Sequence, residues 1–276
     1  MKHSLGFSLL ELIIAMSIGV MLLLAVTAIS SQQIATYLKP KAQLELLDKA
    51  SLLQEIAQHQ LSKIGAFNPF DSNQLSFEQQ ANSRFTNAII LQGDLINAPE
   101  LGTTDNEGKP NQLVFHKYDN SVCSGAKFKN TEFQTNPHKK YHAVEQYYIE
   151  HNTLKCRAFD GGYLLAIKAN ELSSNSVSLL NNIYDMQFTY LVLNNLTQWQ
   201  WLTLNDYQAV RLNNVNDSES GQLKAIKVKV LLRSDVAFYH DNSRLLKSFG
   251  ERNIILKNDG LYRAVEHIVP VLSGSE

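Results

Sequence analysis

GFSLLE, residues 6–11, runs directly into the apolar segment LIIAMSIGVMLLLAVTAIS, residues 12–30. Between Leu12 and Ile29 no side chain carries a formal charge, and only Ser17 and Thr27 are polar. A helix over residues 7–29 would be roughly 35 Å long, enough to cross a hydrocarbon core of about 30 Å. The mean hydropathy of the whole chain is −0.19, so we expect a single transmembrane helix followed by a water-soluble body.

The order of features around this segment differs from that of a secretory signal peptide, in which a cleavage site follows a shorter apolar region. Here Gly6 ends a short leader before the apolar run, and Glu11 lies five residues beyond Gly6. This arrangement resembles the class III signal of type IV pilins and type II secretion pseudopilins. The resemblance implies that prepilin peptidase cuts between Gly6 and Phe7 and that Phe7 becomes an N-methylated first residue. An ordinary signal anchor containing the same letters is the alternative.

Glu11 is the acid of this apolar region. A carboxylate within a membrane is costly, so acids there are functional candidates, and the positive end of the helix dipole lowers the cost near a helix start. The resemblance implies that Glu11 pairs with the N-terminal amine of a neighbouring subunit and sets subunit register during assembly.

The helix is predicted to continue over residues 7–64, with a kink or an end near Pro40. Beyond Pro40, apolar residues recur every three or four positions and form one stripe. We expect this stripe to pack on the body's own sheet, with contact to neighbouring subunit helices as the alternative, and Gly65 to cap the helix. The stripe consists of Leu46, Ala50, Leu53, Ala57, Leu61 and Ile64.

The remainder of the chain, residues 65–276, contains short apolar runs separated by polar loops. Ala143–Ile149 and Leu154–Phe159 are predicted to pair across a turn at His151-Asn152, and Leu223–Arg233 alternates as a strand with one buried face. The predicted fold class is α+β, with a long N-terminal transmembrane helix packed on a predominantly antiparallel β-sheet body.

The resemblance extends into this body through an ordered series of weaker motifs. Together they are similar to the PilW family of minor type IV pilins, which is itself similar to the type II secretion pseudopilin J. The resemblance implies a leader at 1–6, a helix at 7–64 and a periplasmic pilin domain at 65–276. The motifs are CSG (123–125), VEQYYIEHNTLKCR (144–157), NNIYDMQFTYLV (181–192), LKAIKVKVLLRS (223–234) and LYR (261–263).

The chain contains two cysteines, Cys123 and Cys156. If the body is exported, an oxidising compartment favours one disulfide between them, worth roughly 3–4 kcal/mol in the loop-entropy model. A metal or redox pair is the alternative, but it lacks C-x-x-C spacing.

Other chemistry finds little support in the sequence. With 25 basic and 26 acidic residues there is no positive excess for nucleic acid. His138 and His142 lack an H-E-x-x-H context, and residues 214–219 lack the spacing of a calcium loop. Trp199 and Trp201 are expected to share one strand face in the core, with an exposed binding pair as the alternative. We predict no catalytic residue, no metal and no cofactor.

The sequence therefore predicts a non-enzymatic minor pilin that helps prime pilus assembly at or near the tip. The implied partners are prepilin peptidase, the major pilin, other minor pilins, the inner-membrane assembly platform and inner-membrane lipid. The implied location is the bacterial inner membrane, with a single pass and the body in the periplasm, and then the filament. Lys39 and Lys41 follow the span closely, which the positive-inside tendency does not favour for that orientation. A pseudopilin of type II secretion and a membrane-anchored periplasmic binding protein are the alternatives.

Overall fold

A computed structural model describes most of the helix and the strands of the body. The described residues are 9–65, 88–94, 100–105, 111–125, 141–160, 176–193, 198–213, 223–236, 244–250, 252–257 and 260–272. Within them one long helix is followed by antiparallel strands. This arrangement confirms the α+β prediction.

The N-terminal helix, α1, runs over Leu9–His59, which is 51 residues. Pro40 lies inside it, so the helix does not end there. A short 3₁₀ helix follows at Leu61–Lys63. Gly65 then takes a φ of 73°, a left-handed value that suits glycine where a helix terminates.

The first sheet has four antiparallel strands in the order β1-β2-β3-β4. The connection between β2 and β3 consists of two residues, His151 and Asn152, with φ values of 50° and 58°. Two consecutive positive φ values are the signature of a tight hairpin turn, and the predicted hairpin is confirmed. The strands are β1 (Gln112–Asp119), β2 (Tyr141–Glu150), β3 (Thr153–Asp160) and β4 (Val177–Asn181).

The second sheet has the order β10-β7-β5-β6, and its central strand β7 has the predicted bounds. Asn182 alone separates β4 from β5, and its φ of 58° turns the chain from the first sheet into the second. The pattern of the sequence does not indicate this division into two sheets. The strands are β5 (Ile183–Leu193), β6 (Trp199–Leu202), β7 (Leu223–Arg233) and β10 (Tyr262–Pro270).

A second helix, α2 (Leu204–Asn213), was missed in the sequence analysis. Thr203 caps it, because its hydroxyl accepts the N–H of Asp206 at 3.2 Å and donates to the Asp206 carboxylate at 2.8 Å. Tyr207 of α2 stacks on Tyr190 of β5 with ring centroids 4.9 Å apart. This stacking fixes α2 against the core side of the second sheet.

The strands β8 (Arg244–Phe249) and β9 (Arg252–Lys257) form a separate two-stranded sheet, of which β8 was not predicted. Phe249 and Leu256 pack against Leu231 of β7 in a small cluster of their own. The hairpin therefore covers part of the face of the second sheet that lies away from the main core.

The main core lies between α1 and the two sheets. The body half of α1 and the 3₁₀ segment that follows it contribute the predicted stripe, and α1 contacts β10 and β7. Packing of this stripe on the body's own sheets is thereby confirmed. Its buried members are Leu46, Leu53, Ala57, Leu61 and Ile64, and Ala50 packs against them while partly exposed.

Candidate functional site: the N-terminal helix and its attachment to the body

The first half of α1 is apolar and bare, meaning that the body does not cover it. Leu9–Ser30 has a mean hydropathy of 2.7, and the body buries none of it. The two hydroxyls of this stretch donate within the helix, Ser17 to the carbonyl of Ile14 at 2.8 Å and Thr27 to that of Leu24 at 2.9 Å. With those donors satisfied internally, the segment is long and apolar enough to cross a membrane.

Glu11 lies in the first turn of α1 with its side chain exposed. Gly6 and Phe7 lie outside the described residues, so cleavage between them and methylation of Phe7 stay predictions. The structure therefore places the predicted assembly acid at the start of the bare apolar half of α1.

The second half of α1 is attached to the body by a buried lysine. The Lys49 ammonium lies 2.5 Å from Glu45 Oε1, 2.8 Å from Asp235 Oδ1 and 3.1 Å from the carbonyl of Arg233. The N–H of Asp235 donates to the same Glu45 oxygen at 2.7 Å. These bonds tie α1 to the segment that follows β7, in addition to the apolar stripe.

A second polar network lies where α1 ends. The Lys117 ammonium of β1 is fully buried and lies 2.8 Å from Glu145 Oε1, 3.0 Å from Gln60 Oε1 and 3.7 Å from Asp119 Oδ2. Lys63 lies 2.6 Å from the same Asp119 oxygen. One buried cation therefore joins the end of α1 to the first two strands of the body.

The disulfide between Cys123 and Cys156 is present, which confirms that prediction. The Cα atoms are 6.3 Å apart, within the range of ordinary disulfides. The buried carboxylate of Glu145 accepts the N–H of Cys123 at 2.7 Å and the hydroxyl of Tyr147 at 3.2 Å. The disulfide loop is thus tied to the ion pair of Lys117 and Glu145.

Glu145 and the two cysteines bring a carboxylate oxygen and two sulfurs within 4.8 Å of one another. Both sulfurs are bonded to each other in the disulfide, and the Glu145 carboxylate is already paired with the Lys117 ammonium. A cation there would have to displace an ammonium group, so these contacts favour a structural role. The pairing of β1 with β2 brings Lys117 to Glu145, a contact that the sequence alone does not indicate.

Asp119 makes the body sensitive to acid. Burial raises the pKa of Asp119, but the hydrogen bonds from Lys63 and the Asn120 N–H, with the charges of Lys117 and Lys63, lower the pKa overall. A carboxyl whose pKa is lower in the folded chain contributes stability above its unfolded pKa of about 3.9. That contribution is lost as the pH falls through the lower, folded value.

We therefore expect Asp119→Asn to reduce the free energy of unfolding most at neutral pH and progressively less below about pH 4. Urea unfolding of the detergent-solubilised chain, measured from neutral to acidic pH, gives the difference between wild type and variant. Asp48→Asn, which neutralises an exposed acid of α1, is the control. A difference that stays constant across this pH range would contradict the assignment.

The tryptophan pair of β6 is exposed, not buried. Trp199 is 46% exposed and Trp201 36%, so the expectation that both lie in the core is wrong. β6 is an edge strand, which leaves one flank of the pair uncovered by the sheet. The Lys227 ammonium lies 4.6 Å from the ring centroid of Trp201, a cation–π contact.

Two other sequence motifs fall partly or wholly outside the described residues. His138 and residues 214–219 are among those that the structure does not describe. His142 lies in β2.

The N-terminal residues also match a known family. Residues 1–27 match the family of the prokaryotic N-terminal methylation motif. The chain carries this motif. The match includes Gly6, Phe7 and Glu11 and extends through most of the bare half of α1, but it does not reach the body.

Among solved structures, a type IV-like pilin from Thermus thermophilus is similar to this chain at 12% sequence identity. The match covers 61% of this chain and 81% of that one, with a TM-score of 0.32. A likeness at that score supports no conclusion about the function of this chain. No curated protein matches the sequence.

Proposed function

We propose that this chain is a minor type IV pilin of the PilW kind, a non-enzymatic subunit that helps to prime pilus assembly at or near the tip. One observation carries the proposal. The methylation motif leads into a helix of 51 residues whose first half is bare and apolar and whose second half is packed into a β-rich body. The apolar half of such a subunit can lie in lipid before assembly and pack against the helices of neighbouring subunits after it.

The proposed partners follow from this arrangement. Prepilin peptidase would cut between Gly6 and Phe7 and methylate Phe7. The inner membrane would hold Leu9–Ser30 until the assembly platform moves the subunit among the major pilin and other minor pilins. A periplasmic body is supported by the disulfide, because such bonds form and persist in oxidising compartments.

Intact-mass analysis of the protein recovered from its native host tests the processing step. The expected chain lacks residues 1–6 and carries one methyl group on the amine of Phe7. A mature chain that retains Met1 would rule out the proposal.

The alternative is a type II secretion pseudopilin of the J type, which has the same signal. The neighbouring genes would distinguish the two, since they would encode pilus subunits in one case and secretion components in the other. A membrane-anchored periplasmic binding protein is favoured by one feature only, the exposed Trp199 and Trp201.

Glu11→Ala is expected to leave the chain in the membrane but to reduce its incorporation into filaments sharply. The apolar segment that holds it in lipid is unchanged, whereas the acid proposed to pair with a neighbouring amine is lost. The measurement is the ratio of variant in sheared filaments to variant in membranes, by immunoblot. Ser17→Ala is the control, since within the described part of the chain the Ser17 hydroxyl bonds to its own helix, at 2.8 Å. Equal incorporation of the Glu11→Ala chain and the wild type would refute this role.

A further inference from the structure

The first charged side chains after Glu11 are Lys39 and Lys41, because residues 12–38 contain no Asp, Glu, Lys or Arg. α1 is helical throughout this interval. The 28 steps from Glu11 to Lys39 therefore span about 42 Å at 1.5 Å per residue. A bilayer with its headgroup layers is about 40–45 Å thick. With Glu11 at the headgroup level of the opposite face, both lysines reach the level of the headgroups on the side of the body.

The charges of these lysines are available to a ligand. Both side chains are exposed, and among the residues that the structure describes neither is ion-paired or hydrogen-bonded. The nearest acid that follows them, Glu45, is already bonded to Lys49 and to the N–H of Asp235. Within the described residues, neither ammonium group therefore has to give up an ion pair or a hydrogen bond to bind a ligand.

The surroundings of the lysines also suit a membrane surface. Tyr37 is 68% exposed, and tyrosine is enriched where membranes meet water. Among the side chains of α1 whose burial the structure describes, Ala42 is the first that is completely buried. Tyr37, Lys39 and Lys41 consequently occupy the short interval between the transmembrane segment and the body.

We propose that Tyr37, Lys39 and Lys41 form a binding site for anionic phospholipid headgroups. The tyrosine ring lies in the interfacial layer, and the two ammonium groups bind lipid phosphates. Lysines near an anionic surface strengthen binding about fivefold each. Tyr37 and Lys41 are four residues apart and share one side of α1, while Lys39 lies on another. Headgroups surround a helix that leaves a bilayer, so both sides meet lipid.

This site would account for the position of Lys39 and Lys41 on the body side of the span, which does not favour a periplasmic body. Positive residues on the body side run against the positive-inside tendency, and bound anionic phosphates would offset their charge. The proposal requires that α1 crosses a bilayer with Glu11 at the headgroup level of the opposite face. It does not depend on whether the chain enters a filament.

The test is a lipid titration of the full chain in neutral detergent, read by native mass spectrometry. Phosphatidylglycerol and phosphatidylcholine are compared as ligands. The wild type is expected to prefer phosphatidylglycerol, and K39Q/K41Q to lose about 25-fold of that preference, fivefold for each lysine. The control K155Q/K224Q removes the same charge from the body, and it should keep the wild-type preference.

Salt and free phosphate complete the design. Raising the sodium chloride concentration should reduce the preference of the wild type and have little effect on K39Q/K41Q, because exposed charges are screened. A preference for phosphatidylglycerol that survives in K39Q/K41Q, or that falls equally in the control, would overturn the proposal. Displacement of the lipid by millimolar inorganic phosphate would assign the site to free phosphate and would also overturn it.

Discussion

Lys117→Met is expected to lower the free energy of unfolding of the body by about 3–5 kcal/mol. The Lys117 ammonium is fully buried, so its removal leaves Glu145 as a buried carboxylate without its cation 2.8 Å away. It also removes the donor to Gln60 Oε1 near the end of α1. The loss therefore affects both the first sheet and its connection to α1.

Urea unfolding of the detergent-solubilised chain measures this effect, with Lys155→Met as the control. Lys155 lies 2.5 Å from Glu150, but this pair is partly exposed and should matter far less. The double variant Lys117→Met/Glu145→Gln should recover part of the loss, because it removes the unpaired charge and keeps an acceptor for the Cys123 N–H. If the double variant were as unstable as the sum of both single variants, the ion pair would not be the cause.

Gly65→Ala is expected to destabilise the chain by about 2–5 kcal/mol, through strain at a positive φ and through overpacking. At a φ of 73° a Cβ on residue 65 would lie 2.6 Å from the Leu272 carbonyl oxygen and 2.9 Å from Val271 Cγ1. The neighbouring N–H of Leu272 donates to the carbonyl of Ile64 at 2.9 Å, so this contact cannot open without losing a backbone bond.

Gly93→Ala separates the two causes. Gly93 also has a positive φ, 85°, but nothing lies within 4 Å of the position that its Cβ would take. The strain is therefore similar, and only Gly65→Ala adds the clash with the segment that follows β10. Equal shifts of the unfolding midpoint for both variants would show that the clash contributes nothing.

Local patterns in the sequence predicted the parts of the fold that depend on neighbouring residues. The alternation in Leu223–Arg233 defined β7, the spacing of three and four defined the stripe of α1, and His151-Asn152 marked the hairpin. In each case the periodicity or the turn chemistry is contained within a dozen or so residues.

The features that the sequence did not predict depend on contacts between distant segments. Lys117 and Glu145 meet only because β1 and β2 pair in one register, which neither strand specifies alone. Trp199 and Trp201 share a strand face as expected, but their exposure follows from the place of β6 at a sheet edge. α2 does have a local signal in the sequence, the cap formed by Thr203 and Asp206.

The continuity of α1 also has a mechanical consequence. Under the proposed function, a force that draws the apolar end of α1 out of a bilayer acts along one continuous helix of 51 residues whose other end packs into the core. α1 lies against β10 and β7, so its apolar contacts and the Lys49 bonds bear such a force at the same time. Extraction of the proposed subunit from lipid would therefore load all of these contacts between α1 and the body at once.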